Sequence, residues 1–199
     1  MKNLVLSYAD SNRGVDYLVK ASHLILLVLG TSSSPIEGRT AIQKIVYFSS
    51  IKTQSELGYR AHFYGPYSPL VASALEDLVL SELVTESPRI TIRDRPLYSY
   101  FLTEDGKKFV TELKSKDPDI EKKVSYVVKM CEDVTHNNIN VLSWAAKIYF
   151  MLSSKGGPIS YEDIIARGKK LGWQLDNKEI ESGLKLLHGL SLARKSAAQ

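Results

Sequence analysis

Between residues 69 and 102 the apolar pattern changes its period, and this constrains the fold more than any other feature of the chain. In "PLVASALEDLVLSEL", Leu70, Val71, Ala74, Leu75, Leu78, Val79 and Leu83 recur at helical spacing and form one apolar stripe. Beyond Ser87-Pro88 the pattern alternates. Arg89-Ile90-Thr91-Ile92, a turn through Arg93-Asp94-Arg95-Pro96, and Leu97 to Leu102 together predict a β-hairpin.

The residues before this switch predict two more helices. Residues 15–29 predict a largely buried one that stops at Gly30, with Thr31-Ser32-Ser33-Ser34-Pro35 as the break. The second covers Arg39 to Lys52 and buries Ile42, Ile45, Val46 and the Tyr47-Phe48 pair. Glu56 to Gly58 predicts a loop, and Tyr59 to Tyr64 an extended segment. Gly65-Pro66 is a turn signal, because proline fixes φ and glycine takes conformations that other residues avoid. Ser68 then suits an N-cap and Pro69 the first helical position, where no N–H is needed.

Three helices followed by a two-stranded ribbon is the element order of a winged helix-turn-helix. The expected fold class is therefore mostly α with small β-hairpins (α+β), residues 1–113 forming a winged-helix domain. Thr103 is expected to cap a short helix behind the ribbon. Residues 114–138 read as a linker and connecting helix, with a hinge at Lys114 to Pro118. Ile120, Val124, Val127, Val128, Cys131 and Val134 form its stripe, and His136-Asn137-Asn138 ends it. The stripe is expected to pack on its own domain, with a homodimer seam as the alternative.

Residues 139–199 read as a second, smaller unit, helical or winged-helix-like. Val141 to Leu152 is apolar on nearly all sides. Ser160 with Asp163, and Asp176 with Glu179, match the pattern of a small polar cap answered three positions later. They open helices at Tyr161 to Leu171 and Asn177 to Leu190, after which "GLSLARK" predicts the start of a strand. Pro35-Ile36 and Pro158-Ile159 each follow a polar break, which alone is too short to establish a repeat.

Composition bounds the chemistry. At 199 residues, with 44% hydrophobic and 24% charged, the chain is ordinary for one sizeable globular domain or two small ones. A single cysteine, Cys131, leaves no intramolecular disulfide. Leu24 to Leu29 is the most apolar run, far short of the roughly 18 residues of a membrane span. No signal-peptide pattern is present. A cytoplasmic protein with no membrane partner is expected. His23, His62, His136 and His188 lack metal-ligand spacing, and the chain has neither a phosphate-cradling glycine loop nor a nucleophile elbow. No catalytic residue, metal or cofactor is expected, and the protein reads as non-enzymatic.

The net charge of +4 is mild, and its placement says more. From Tyr64 to Pro88 there is no Lys or Arg, while Glu76, Asp77, Glu82 and Glu86 would oppose DNA phosphates. The wing is the reverse: Arg89, Arg93 and Arg95, opposed by Asp94, suit phosphates or a narrow minor groove. Arg167, Lys169 and Lys170 are further candidate nucleic-acid contacts, as are Arg194 and Lys195. A solvated hairpin tip and ordinary helix-end cations are the bland alternatives. His62, Phe63, Tyr64 and Tyr67 either pack the helix start against Tyr47 and Phe48 or offer a surface to bases or to a protein. Tyr64 or Tyr67 is the ring expected to be exposed.

The segments "AIQKIVYFSSI", "YRAHFYGPYSPLVASALEDLV" and "YFLTEDGKKF" resemble the YwgA-like proteins of bacteria and archaea. More distantly, they resemble the Panacea domain of antitoxins and phage-associated proteins. The likeness rests on Gln43-Lys44-Ile45-Val46-Tyr47 and Phe63-Tyr64-Gly65-Pro66-Tyr67-Ser68, the latter lacking the family's spacer between Phe and Tyr. It covers residues 15–112 and implies a non-enzymatic winged-helix-like module. For archaeal relatives it implies transcriptional regulation, by analogy of fold; for Panacea relatives, neutralisation of a protein toxin. Two functions are thus expected. One is a DNA-associated transcriptional regulator that contacts double-stranded DNA through the basic wing. The other is an antitoxin-type module that binds a partner protein through Tyr64, Tyr67, Glu76 and Asp77.

Overall fold

The computed structural model describes residues 3–5, 20–90, 96–136, 138–155 and 158–195. In chain order its elements begin with β1 (Asn3–Val5), α1 (Ala21–Leu29), β2 (Ile36–Glu37), α2 (Arg39–Thr53), α3 (Pro69–Leu80), β3 (Val84–Ile90) and β4 (Pro96–Leu102). They continue with α4 (Glu104–Lys116), α5 (Pro118–Thr135), α6 (Ile139–Lys155), β5 (Ile159–Ser160), α7 (Tyr161–Lys170), α8 (Asn177–Gly189) and β6 (Arg194–Lys195). The chain is thus mostly helical with small antiparallel sheets, an α+β composition. It divides into two units: Leu18–Tyr59 with Ser68–Lys129, and Met1–Tyr17 with Arg60–Tyr67 and Met130–Gln199.

In the unit holding α1 to α4, α1 starts only at Ala21, after an extended Lys20, where a helix over 15–29 is expected; 15–19 lie outside the described residues. Its last six residues, Leu24 to Leu29, are buried, and it ends at Gly30 as expected. A Cβ on Gly30 would sit 2.7 Å from Val110 Cγ1, so the glycine lets α4 approach. In α2, every residue from Ala41 to Ser50 is buried. α3 starts as its sequence dictates: Val71 N donates to Ser68 Oγ at 3.2 Å, and Pro69 occupies the first turn. Its inward stripe is Val71, Leu75 and Leu78. Leu70, expected on that stripe, is 58% exposed.

The ribbon begins earlier than the period change suggests. β3 pairs with β4 from Val84↔Leu102 to Ile90↔Pro96, and Pro88 lies within the ladder opposite Tyr98. Ser87-Pro88 is therefore not a break; β3 is an edge strand, where proline is tolerated. β2 joins the other side of β4 through Ile36↔Tyr100 and Glu37↔Ser99, giving the order β2-β4-β3. The turn at 91–95 lies outside the described residues. Thr103 caps α4 by accepting from Gly106 N at 3.0 Å. A Cβ on Gly106 would fall 2.1 Å from Leu83 O, which excludes any larger residue there. α4 runs to Lys116, so the hinge expected over Lys114 to Pro118 shrinks to Asp117, whose Oδ1 accepts from Ile120 N at 3.1 Å. α5 buries Val124, Val127, Val128 and Cys131 of the expected stripe, and burial pushes the Cys131 thiol up.

In the other unit, α6 buries Leu142, Ala145, Ala146, Ile148, Met151 and Leu152. α7 and α8 each open with a complete capping box, Ser160 with Asp163 and Asp176 with Glu179. The Cβ that Gly183 lacks would lie 2.9 Å from Ala145 N and 2.8 Å from Ile148 Cδ1, so this glycine lets α8 close onto α6. Trp173, 1% exposed, fills the loop between α7 and α8 and meets Phe150 edge-on at 5.9 Å. The strand expected from "GLSLARK" is β6. β1 pairs antiparallel with β5 (Asn3↔Ser160, Leu4↔Ile159) and with β6 (Leu4↔Lys195, Val5↔Arg194), so it is the middle strand of β5-β1-β6.

Candidate interaction surfaces

The turn signalled by Gly65-Pro66 forms but starts earlier than expected: Arg60 is bridged to Tyr67, while Phe63 and Tyr64 lie in the turn, not in an extended segment. Arg60 and Tyr67 exchange both backbone hydrogen bonds, each at 2.9 Å, and Gly65 N donates to His62 O at 2.9 Å. Gly65 has φ +98°, which only glycine adopts without strain. Trp173 Nε1 donates to the same His62 carbonyl at 2.7 Å, so the tip is pinned from a buried indole. His62 lies 5.1 Å from Tyr67, and Phe63 meets Tyr64 edge-on at 5.0 Å. Of the two rings, Tyr64 or Tyr67, of which one is expected outside, it is Tyr64 that is exposed, at 58%, while Tyr67 is half-buried. Phe63, not among the rings expected outside, is 70% exposed. Two outward rings on a rigid turn suit a protein hot spot or a stacking platform, because little conformational freedom is lost on contact.

The residue after the turn is held by Gln43. Its Nε2 donates to Ser68 O at 2.9 Å, and its Oε1 accepts from Ser68 N at 3.1 Å. Gln43 is 4% exposed and Ser68 is 0% exposed. Ser68 Oγ donates to Leu57 O at 2.5 Å, and Tyr59 Oη donates to Gln43 O at 3.0 Å. Tyr47 packs edge-on against Tyr59 at 4.7 Å, and burial raises the Tyr59 hydroxyl well above its ordinary value. Gln43 and Ser68, 25 positions apart in the chain, thus bind each other.

The carboxylates between Tyr64 and Pro88 do not form one stripe. Glu76 and Asp77 are exposed on α3, Glu82 lies in the turn after it with φ +57°, and Glu86 is on β3. Arg39, at the start of α2, donates to Glu76 Oε1 at 2.8 Å, to Glu86 Oε1 at 3.0 Å and to Tyr100 Oη at 3.0 Å. Tyr100 in turn donates to Glu86. The Tyr100 hydroxyl, with Arg39 behind it, holds the Glu86 carboxyl below its usual range. Burial and Glu86 push Tyr100 up to about 12. This cluster ties α2, α3, β3 and β4 together and partly neutralises the acidic helix.

Of the candidate cations, Arg93 and Arg95 lie outside the described residues. Arg89 is in β3 opposite Leu97, and its side chain lies outside them too. Arg167, Lys169 and Lys170 form the last turn of α7, with both lysines exposed. On α8 the exposed residues include Lys178, Glu181, Lys185 and His188. Lys178 and Lys185 are seven positions apart and share a face, a signal legible in the sequence but not drawn from it. Glu181, three positions after Lys178 and four before Lys185, is exposed on the same face, while two other carboxylates of this unit are engaged. Glu179 accepts from Asp176 N at 2.9 Å, and Asp163 accepts from Lys155 Nζ at 3.2 Å, which with the Ser160 amide lowers its pKa.

A cleft of about 520 Å³ in the first unit is lined by Ser32, Ser33, Tyr100, Lys107 and Lys114 among others. Its cations have partners: Lys107 pairs with Glu104 at 2.6 Å, and Lys114 donates to Gly30 O at 3.4 Å. Among the described residues no group of three or more His, Cys, Asp or Glu is placed to hold a metal ion. No helix among them is long and apolar enough to cross a membrane. No protein-family model matches the chain, and no curated protein matches it.

Proposed function

We propose that the chain is a tandem winged-helix protein of YwgA-like type that associates with duplex DNA, with α7 and α8 as the helices that meet it. The order α1-β2-α2-α3-β3-β4 with strands arranged β2-β4-β3 suits a winged helix, and α6-β5-α7-α8-β6 follows the same sequence of elements. In such folds the third helix meets the major groove. α3 presents Glu76 and Asp77 to solvent with no lysine or arginine of its own, whereas α8 presents Lys178 and Lys185 with one carboxylate, Glu181, between them, and the last turn of α7 is basic. That contrast carries the assignment, since closely spaced phosphates repel the first face and attract the second.

A salt titration of binding to labelled duplex tests it. Each phosphate contact contributes about −0.9 to the slope of log affinity against log salt. The double variant Lys178→Ala/Lys185→Ala is expected to flatten the slope by about 1.8, two contacts' worth. Absence of salt-dependent binding by the unaltered protein at low ionic strength, or an unchanged slope in the variant, refutes the assignment.

A protein partner of antitoxin type is the alternative, and the exposure of Phe63 and Tyr64 on a pinned turn favours it. In that case Phe63→Ala/Tyr64→Ala abolishes capture of the partner while the lysine changes leave it intact.

A further inference from the structure

We infer that the second unit repeats the plan of the first with its middle strand delivered from the N-terminal end, so that β5 and β6 bound a docking slot for an extended segment of the β1 sequence. Each unit has a two-residue strand that opens on a buried isoleucine, Ile36 at 6% exposure and Ile159 at 0%. Each such strand leads directly into a pair of helices, α2-α3 or α7-α8, and each pair is followed by a strand, β3 or β6. The sheets then correspond position by position, β2-β4-β3 with β5-β1-β6, every neighbouring pair antiparallel. The Pro35-Ile36 and Pro158-Ile159 echoes in the sequence fall at the matching points.

One position differs. In the first unit the middle strand, β4, follows β3 directly in the chain and pairs with it from Val84 to Ile90. In the second, the middle strand is β1, remote in sequence from both neighbours. Among the described residues β5 and β6 pair only with β1, and Leu4 is matched with Ile159 on one side and Lys195 on the other. Backbone N–H and C=O groups on both flanks need a partner, and an extended strand running antiparallel to both supplies it. This conclusion rests on topology alone and stands or falls apart from the assignment to DNA.

Paired cysteines in the full chain test it. Antiparallel Cα partners lie about 4.5–5.5 Å apart, within disulfide reach. Leu4→Cys/Lys195→Cys is therefore expected to close an intrachain disulfide on mild oxidation, seen as a faster monomer band on a non-reducing gel. Cys131 is buried and stays out of the reaction. Leu4→Cys/Lys185→Cys, which pairs β1 with the exposed face of α8, is expected not to close. A chain lacking residues 1–5 is then expected to bind a labelled peptide of residues 1–7, and not the same peptide carrying Leu4→Pro. Failure of the Leu4→Cys/Lys195→Cys variant to close its bridge, or closure only between two chains, overturns the inference even if the shortened chain does not fold.

Discussion

Replacing Gln43 by Leu keeps a side chain of similar size and removes both hydrogen bonds to Ser68. Ser68 O keeps a second donor, Ala72 N at 3.2 Å, so its loss is one bond of about 0.5–1.5 kcal/mol. Ser68 N has no such reserve. With Ser68 at 0% exposure water cannot replace the amide oxygen, and an orphaned buried donor costs about 1–3 kcal/mol. The added apolar contact of leucine offsets part of this, leaving a net destabilisation of about 2–3 kcal/mol. For a chain of this length each kcal/mol moves Tm by about 2–4 °C, so thermal unfolding followed by circular dichroism should show a drop of about 4–12 °C. Gln43→Glu should fall comparably at neutral pH, because a carboxylate accepts from Ser68 N but faces the Ser68 carbonyl without a proton to donate. A leucine variant melting within about 1 °C of the unaltered protein would refute the view that this amide is the sole support of Ser68 N.

Glu86 and Trp173 give two further expectations. The Glu86 carboxyl titrates below its ordinary 4.5 when folded, so its contribution to stability is complete above that pH and is lost as pH falls through the folded value. Measured as Tm against pH, Glu86→Gln should lie below the unaltered protein near neutrality and converge with it in acid; parallel curves would contradict this. Trp173→Phe retains a ring facing Phe150 but removes the donor on His62 O, at a cost of about 1 kcal/mol. It also weakens the cation–π contact from Lys147, whose Nζ lies 5.8 Å from the indole. Limited proteolysis within residues 60–67 should speed up in this variant, and an unchanged cleavage rate would show that the indole does not restrain the turn.

What the sequence made legible was chemistry closed within four residues. The caps at Ser68, Thr103, Ser160 and Asp176 all formed, because each needs only a short side chain and a backbone N–H three positions on. What it hid were partners far apart along the chain. Gln43 and Ser68 are ordinary residues until the fold brings them together. Arg39 was not counted against Glu76 and Glu86 because charge was read along one segment, not across four elements. The start of β3 was missed because Val84 is the strand's only buried residue among those described and Pro88 reads locally as an interruption. β1 has three residues and no periodicity to detect, and both its partners lie at the opposite end of the sequence. Gly65-Pro66 announces the turn, but its reach back to Phe63 is not legible locally, because it depends on the exchange between Arg60 and Tyr67 and on a tryptophan more than a hundred positions away.

The pairing of β1 with β6 also sets an order of events at the ribosome. The unit that holds α1 to α4 is complete once Lys129 has emerged, so that part can settle during synthesis. β1, made earlier, can meet β5 once Ser160 is made but must wait for Arg194 and Lys195 to gain its second neighbour. Closing so long a loop is entropically slow, and until it happens two short strand edges stand open. A nascent chain stalled just before Arg194 would therefore carry one finished half and one in which β1 has β5 but not yet β6 beside it.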